Sequence, residues 1–278
     1  MEKKYLSPKN DLVFKLIFGD RRNSDVLIEF LKNMLDLPDQ EYDHIEFADT
    51  HLLPDDIDGK MGILDIKLYT KNKNVIDIEI QVWRVPDLQE RILFYLSRMV
   101  FEQIKQGDDY RKIKKAISIV ITDFSLIEDS DHYCNRYRLY DKNTQSEFTE
   151  LVEVITLELP KLPAQNDQSG LWEWLQFIKS EKEEVWTMLA EKNPQIKKAV
   201  AVVKKLSEEE RIKRLAESRE KAQWDEYLRM TGSRAEGKVE GILETQIEIV
   251  RAMRLKGFDE FVISEITKLS IEEIRKLG

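Results

Sequence analysis

The sequence is short of cysteine: Cys134 is alone among 278 residues. A single cysteine cannot close an internal disulfide, so the chain does not require an oxidising compartment and we expect a cytoplasmic protein. The three histidines lack metal-ligand spacing, which together with one cysteine argues against a structural zinc site. Ten glycines and seven prolines are too few for a fibrous or low-complexity chain.

Long apolar runs are also missing. No segment approaches the roughly 18 consecutive apolar residues of a membrane span. The opening residues MEKKYLSPKNDLVFKLIFGD contain lysines but no apolar run that ends in small residues. We therefore expect neither a secretory signal nor a membrane partner.

A basic excess is the third absence. The formal net charge is −9, although 35% of the residues are charged and 42% are apolar. Proteins that coat nucleic acid usually carry a basic excess, so high non-specific affinity for DNA is not expected. Net charge averages over the whole surface, however, and a nuclease needs only a metal and a local basic cleft.

Two short helices are predicted at the start of the chain. Either Asn10 or Asp11 can cap the first, which carries the apolar residues Phe14, Ile17 and Phe18. The second begins after Ser24 and is stopped by Pro38, with apolar residues spaced for one helical face.

Residues 62–82 change to the two-residue period of strands. The runs GILDIKLYT and NVIDIEIQV each predict a strand with one buried apolar face, joined by a loop at Lys71-Asn72-Lys73. The faces fix the register, because a slip by one residue would bury the carboxylates. The predicted pairs are Leu64 with Ile80, Asp65 with Glu79, Ile66 with Ile78, Lys67 with Asp77, and Leu68 with Ile76.

After the hairpin, helical and strand patterns alternate, and the last part of the chain is predicted to be helical. A long helix is predicted from Pro86-Asp87 to about Gln106, ended by Gly107, with buried strands at 115–124 and 151–158. A linker rich in polar residues follows Pro160. We therefore predict three parts, which are residues 1–163, a helical region 164–230 and a helical tail 231–278. The last helix begins with a capping box formed by Ser270 and Glu273.

The hairpin brings two carboxylates face to face. Directly opposed residues lie about 5 Å apart at Cβ, so Asp65 and Glu79 can reach one hard cation such as Mg²⁺. Such an ion activates water and polarises a phosphodiester, and Gln81 on the same face can orient the water or a phosphate oxygen. The alternative is an amphipathic hairpin that shows polar residues to solvent, which is a common pattern.

Several segments resemble a known family when they are taken in order. The runs SPKNDLVFKLIFGD, SDVLIEFLKNML, GILDIK and NVIDIEIQVW, and the segment LQERILFYLSRMVFEQIKQGDDYRKIKKAISIVITDF, are similar to the recombination-promoting nuclease and transposase family of the PD-(D/E)XK superfamily. The resemblance covers roughly residues 5–160. It implies an α/β fold, a restriction-endonuclease-like core with a mixed central sheet flanked by helices, which a mostly helical C-terminal region follows here.

The resemblance also implies metal-dependent DNA cleavage with Mg²⁺, or Mn²⁺ in its place. Asp65 then matches the Asp of the signature and Glu79 the second acid, while Gln81 stands where the superfamily pattern has lysine. Because glutamine carries no charge, Lys67 is a candidate to supply it. The candidate nucleic-acid contacts are Asp11, Lys15, Lys67 and Arg91, although Asp11 is equally suited to a helix cap and the others to a solvated surface.

We thus predict a Mg²⁺-dependent DNA endonuclease with little sequence preference, linked to recombination or mobile DNA. An RNase on the same fold stays open. The alternative from another class is a catalytically silent DNA-binding or protein-interaction module, which the missing lysine and the acidic net charge favour. In either case the helical C-terminal region is a candidate surface for homo-oligomerisation.

Overall fold

A computed structural model describes residues 5–48, 51–52, 62–63 and 65–276 of the chain. The N-terminal half contains helices α1 (Asp11–Phe18), α2 (Ser24–Lys32) and α3 (Leu88–Phe101) and strands β1 (Glu46–Phe47), β2 (His51–Leu52), β3 (Gly62–Ile63), β4 (Ile66–Tyr69), β5 (Val75–Gln81), β6 (Ala116–Thr122), β7 (Cys134–Tyr140) and β8 (Glu147–Glu158). The C-terminal half contains α4 (Gly170–Lys179), α5 (Glu183–Lys192), α6 (Pro194–Leu206), α7 (Glu210–Leu255), α8 (Glu260–Thr267) and α9 (Ile271–Lys276).

Six of the described strands form one mixed sheet in the order β1-β4-β5-β6-β8-β7. The neighbours β5 and β6, and β6 and β8, run parallel, whereas the outer pairs are antiparallel. Helix α3 makes the crossover from β5 to β6, which parallel neighbours require. Strands β2 and β3 pair separately. The predicted mixed sheet flanked by helices, with a helical C-terminal region, is confirmed.

The β4–β5 hairpin has the predicted register. Ile66 faces Ile78, Lys67 faces Asp77 and Leu68 faces Ile76. The backbone amide of Thr70 donates to the carbonyl of Asn74 at 3.0 Å, and Lys73 adopts a left-handed φ of 68° in the loop between them. The predicted pairing of Leu64 lies outside the described residues.

The hairpin is buried on both faces, so the prediction of one buried face is wrong. Helix α3 covers the second face with Leu88, Ile92, Leu96 and Met99. As a result Glu79 is only 4% exposed and Lys67 only 5%. The carboxylates therefore do not serve as the solvent-facing side of an amphipathic hairpin, which was the alternative explanation of the pattern.

Helix α3 ends at Phe101, five residues before the predicted end. The side-chain amide of Gln103 donates to the carbonyls of Met99 and Lys114, both at 3.1 Å, and so ties the helix end to the segment that enters β6. Gly107, at a φ of 89°, lies in the following turn and not at the helix end. Leu93 of α3 faces outward and is 63% exposed, although its helical spacing with Leu96 and Val100 predicts a place inside.

The other face of the sheet packs against helices from both halves of the chain. The rings of Phe18 of α1 and Phe30 of α2 pack edge-on or tilted against Trp174 of α4, with centroid distances of 5.7 and 5.8 Å. Glu29 of α2 accepts hydrogen bonds from the Trp174 indole and, at 3.1 Å, from the side-chain amide of Asn193. Residues on both sides of the predicted 163/164 boundary thus share one core.

The chain divides into two compact units, Met1–Gln223 and Trp224–Gly278. In the second unit, Val250, Ile263 and Ile274 form a small core between α7, α8 and α9. The predicted capping box is confirmed, since the Ser270 amide donates to Glu273 at 2.8 Å and the Glu273 amide to the Ser270 hydroxyl at 3.3 Å. No helix in the described ranges is long and apolar enough to cross a membrane.

Candidate active site

Strand β5 carries three polar residues, Asp77, Glu79 and Gln81, on the side that faces α3. Asp65 lies immediately before β4 at the neighbouring end of the hairpin, and its Oδ2 accepts a hydrogen bond of 3.1 Å from the backbone amide of Ile80. This bond fixes the Asp65 carboxylate against β5, one residue beyond Glu79. The structure thus brings together the two acids that the sequence singled out.

Each of these acids has a cation beside it. The Lys15 ammonium of α1 lies 3.2 Å from Asp65 Oδ1. From the opposite layer, Arg91 of α3 places Nη2 3.9 Å from Glu79 Oε2. Two of the residues that the sequence proposed as nucleic-acid contacts therefore border the carboxylates, one from each helix layer.

The site concentrates negative charge in a buried place. Burial raises the pKa of Asp65, although the charge of Lys15 opposes the shift. Burial, with the charge of Asp65 adding to it, raises the pKa of Glu79 to about 7 against the lowering effect of Arg91. Ionised carboxylates held here without water need a positive partner, which is the setting that favours a bound cation.

Asp77 is a third acid at the site, for which the sequence predicts only the pairing with Lys67. Its Oδ2 accepts a hydrogen bond of 3.3 Å from the Ser118 hydroxyl, while its buried Oδ1 has no hydrogen-bond partner among the described residues. Burial and the charge of Glu79 raise the pKa of Asp77 well above its ordinary value. The pattern already placed it two residues from Glu79, but the same alternation fits any half-exposed strand.

Lys67 does not contact Asp65. The hairpin register directs its side chain toward α3, where Nζ lies 3.0 Å from Glu102 Oε2. Lys67 is buried there, so a phosphate contact would require it to leave Glu102. The cation that contacts Asp65 is Lys15, from a helix that precedes the hairpin by about fifty residues.

Asp11 has two neighbours of interest. Asn10 is the N-cap of α1, since its side chain accepts from the amides of Leu12 and Val13. Asp11 is the first residue of the helix, and its Oδ1 accepts from the Leu12 amide at 2.7 Å. Its Oδ2 lies 3.1 Å from Nη1 of Arg219 in α7. Asp11 also belongs to the electrostatic surroundings of Asp65, whose pKa its charge helps to raise.

Gln81 ends β5, and the next residue, Val82, lines a cleft of about 220 Å³. The carbonyl of Gln81 accepts from the amide of Asp123 at 3.0 Å, and its side chain is partly exposed. Lys9 and Asp123, paired at 2.7 Å, line the cleft together with Trp83 and Gln223. The cleft therefore lies beside the residues that follow β5 and β6.

The donors of the site suit a hard cation. Among the residues that the structure describes, no group of three or more Asp, Glu, His or Cys side chains is arranged to hold a metal ion. Mg²⁺ in proteins is commonly held by one or two carboxylates, with water and substrate phosphate completing its shell. Asp65 and Glu79 are two carboxylates of this kind, and burial is the largest cause of their raised pKa values.

A comparison with protein families identifies the family of the chain. The model of a family described as PD-(D/E)XK nuclease family transposase matches residues 8–232, which include α1, the hairpin, α3 and the first half of α7. Neither the curated proteins nor the solved structures yield a match. Because the family model covers most of the sequence, the chain belongs to the PD-(D/E)XK nuclease family transposases.

Proposed function

We propose that the chain is a metal-dependent DNA endonuclease in which Asp65 and Glu79 bind a divalent cation, Mg²⁺ or Mn²⁺. The observation that carries the proposal is the placement of Asp65 beside β5, one residue from the buried Glu79. The resemblance to the family implies that these two residues are the acids of its signature. Burial raises the pKa of a carboxyl group, whereas a bound cation favours its ionised form. Here the pKa values of both are raised.

When bound, the cation would polarise the phosphodiester and lower the pKa of an attacking water. The Ile80 amide holds Asp65 through Oδ2, and the Lys15 ammonium lies beside Oδ1. Glu79 is oriented by Arg91. The partly exposed amide of Gln81 would orient water or a phosphate oxygen.

We further propose that cleavage has little sequence preference and serves recombination or mobile DNA. The family supports the second part, since its description joins nuclease and transposase. The helical C-terminal region is our candidate surface for homo-oligomerisation. The division of the chain into the parts 1–163, 164–230 and 231–278 is likewise a proposal.

The test is cleavage of supercoiled plasmid with Mg²⁺, Mn²⁺ or EDTA. We expect cation-dependent nicking that Asp65→Ala and Glu79→Ala abolish. Asp43→Ala removes an exposed carboxylate paired with Lys71 far from the hairpin's acids and should cleave like the parent. Nicking that survives in Asp65→Ala would show that another group or another protein is responsible.

A catalytically silent module is the second candidate, and Gln81 favours it because the superfamily's lysine is missing from that position. Such a module would bind duplex DNA without cutting it. Fluorescence anisotropy with a labelled duplex, run beside the plasmid assay, separates the two functions. Binding without nicking under every cation would favour the silent module.

A further inference from the structure

The replacement of lysine by Gln81 leaves the hairpin without the cation that the superfamily pattern puts on β5. A phosphodiester gains negative charge as it is attacked, and preorganised positive groups stabilise that charge most effectively in a site that excludes water. Gln81 can donate a hydrogen bond but cannot supply charge. A site that cleaves DNA therefore needs its positive charge from another element.

Three cations approach the acids from the neighbouring elements. Lys67 pairs with Glu102, which Arg98 also approaches at 3.7 Å, so the charge of Lys67 is already used in this ion cluster. Arg91 contacts Glu79 only at 3.9 Å, from the α3 side. Lys15 is the one of the three that touches Asp65.

Helix α1 holds Lys15 in a defined place. Phe14, Ile17 and Phe18 are fully buried around it, and the Asn10 cap fixes the start of the helix. The Lys15 side chain is 28% exposed, so its ammonium is partly desolvated yet within reach of a ligand that enters from outside. A short rigid helix thus presents the ammonium to the acids, as preorganisation requires.

We propose that Lys15 is a catalytic residue, which supplies from α1 the positive charge that Gln81 cannot supply from β5. The proposal rests on the nuclease function proposed above. In the absence of ligand, the Lys15 ammonium lies on Asp65 Oδ1. On substrate binding it transfers to a non-bridging oxygen of the attacked phosphate and stabilises the charge that develops there.

The position of Lys15 gives the proposal a signature that a structural role lacks. While it lies on Asp65, the ammonium competes with any cation for that carboxylate. Its removal should therefore strengthen cation binding and weaken cleavage at the same time. A lysine that merely maintained the fold would weaken both.

The experiment compares the full-length parent with Lys15→Ala, Lys15→Arg and the double variant Lys15→Ala/Gln81→Lys. Mn²⁺ binding without DNA is measured by titration calorimetry, and single-turnover nicking is measured at saturating Mn²⁺. For Lys15→Ala we expect about fivefold tighter Mn²⁺ binding, because a partly exposed ion pair is lost. Its nicking should be about 10²- to 10³-fold slower, the usual cost of one preorganised donor.

The double variant is the decisive arm, because it returns a lysine to the superfamily position. We expect it to regain at least tenfold in nicking rate over Lys15→Ala, and Lys15→Arg to retain part of the activity. Rescue also shows that the single variant is folded. Lys32→Ala removes an exposed lysine of α2 that is paired with Asp39, and this variant should match the parent in both measurements.

Two results would overturn the proposal while the nuclease function stands. In the first, Lys15→Ala nicks DNA at the parental rate. In the second, Lys15→Ala binds Mn²⁺ more weakly than the parent, and the added Gln81→Lys does not restore nicking. Failure of the proposed nuclease function gives a different result, because the parent itself would then not nick DNA with any cation.

Discussion

Arg219 and Asp11 are 208 positions apart in the sequence, yet the guanidinium Nη1 of the first lies 3.1 Å from the carboxylate Oδ2 of the second. The pair joins the first half of α7 to the helix that carries Lys15. Two further contacts run alongside it, from the Asn10 amide to the Ala216 carbonyl at 3.1 Å and from the Leu6 amide to the Ser207 hydroxyl at 2.9 Å. The start of α7 is therefore part of the structure that positions the candidate active site.

This relationship predicts where the chain can be shortened. Truncation after residue 223 keeps Ala216 and Arg219, so we expect a folded protein whose melting temperature stays within a few degrees of the parent value. Truncation after residue 209 removes Ala216 from the core and leaves Asp11 without Arg219. Its melting temperature, measured by circular dichroism, should be clearly lower.

The single variant Arg219→Ala isolates the ion pair from the loss of the helix. Because the Arg219 side chain is 42% exposed, we expect a loss of at most about 1 kcal/mol in the free energy of unfolding. Arg229→Ala, at an exposed pair further along α7, is the matched control. Equal stability of the two truncated proteins would contradict the structural role given to residues 210–223.

The raised pKa of Glu79 predicts that this residue destabilises the fold at neutral pH. Its pKa is about 7 in the folded protein against an ordinary value of 4.5. Stability due to Glu79 is therefore fully present below about pH 4.5 and is lost as pH rises through 7, where the buried group must ionise. Without divalent cations, Glu79→Gln should be more stable than the parent at pH 8, on the order of 3 kcal/mol.

Thermal or urea unfolding of parent and Glu79→Gln across pH 5–8 in EDTA checks this prediction. The gap between the two should shrink toward pH 5, where the parent also holds a neutral side chain at this position. Asp43→Asn, an exposed acid, should track the parent at every pH. A gap that stays constant with pH would mean that shape, and not ionisation, causes the difference.

The sequence predicts the hairpin well because its period of two leaves little freedom. A slip by one residue exchanges the faces, so the pairing of Ile66 with Ile78 and of Lys67 with Asp77 follows from the pattern alone. What covers the polar face does not follow from it. Burial of Glu79 depends on α3, whose packing is a tertiary property that alternation within the hairpin does not encode.

Two other features, strand β7 and the contact of Arg219 with Asp11, could not be predicted from the spacing of apolar and polar residues. The run CNRYRLY forms β7, but polar and apolar residues alternate in it only over residues 136–139. As an edge strand paired with β8, it remains largely exposed. Arg219 lies in a charge-rich helix among many similar residues, and nothing in its spacing points to Asp11. Residues joined by distant contacts are the part of the site that required the structure.

The core shared by both halves of the chain predicts a large cost for Trp174→Ala. Trp174 is fully buried between Phe18, Phe30 and Phe177, and its indole nitrogen donates to Glu29. We expect a loss of about 3–5 kcal/mol in the free energy of unfolding. Urea denaturation measures it, and Leu93→Ala, which truncates an exposed side chain, should change stability by no more than about 0.5 kcal/mol.

The same core bears on fragments of the chain. Residues 1–163 lack α4 to α6, so Phe18 and Phe30 would be left without Trp174. We expect this fragment to be unfolded or aggregated by circular dichroism and light scattering. A fragment 1–163 that melts cooperatively would show that the N-terminal part folds without those helices, which would support the predicted boundary.

A divalent cation should stabilise the protein through Asp65 and Glu79. A ligand that binds only the folded state at a hundredfold excess over its dissociation constant adds about 2.7 kcal/mol to the free energy of unfolding. We expect Mn²⁺ or Mg²⁺ to raise the melting temperature of the parent and EDTA to reverse the rise. Because these acids repel each other without a cation, the rise should be larger at pH 8 than at pH 5, where protons compete for Glu79.

Asp65→Asn and Glu79→Gln separate binding at this site from weak binding elsewhere on a chain of net charge −9. Each variant keeps the shape of the side chain and removes its charge, so each should lose most of the cation-dependent rise while still melting cooperatively. Asp123→Asn, in the neighbouring cleft and paired with Lys9, should keep the rise. An equal rise in all three variants would place the cation on the general surface and not between Asp65 and Glu79.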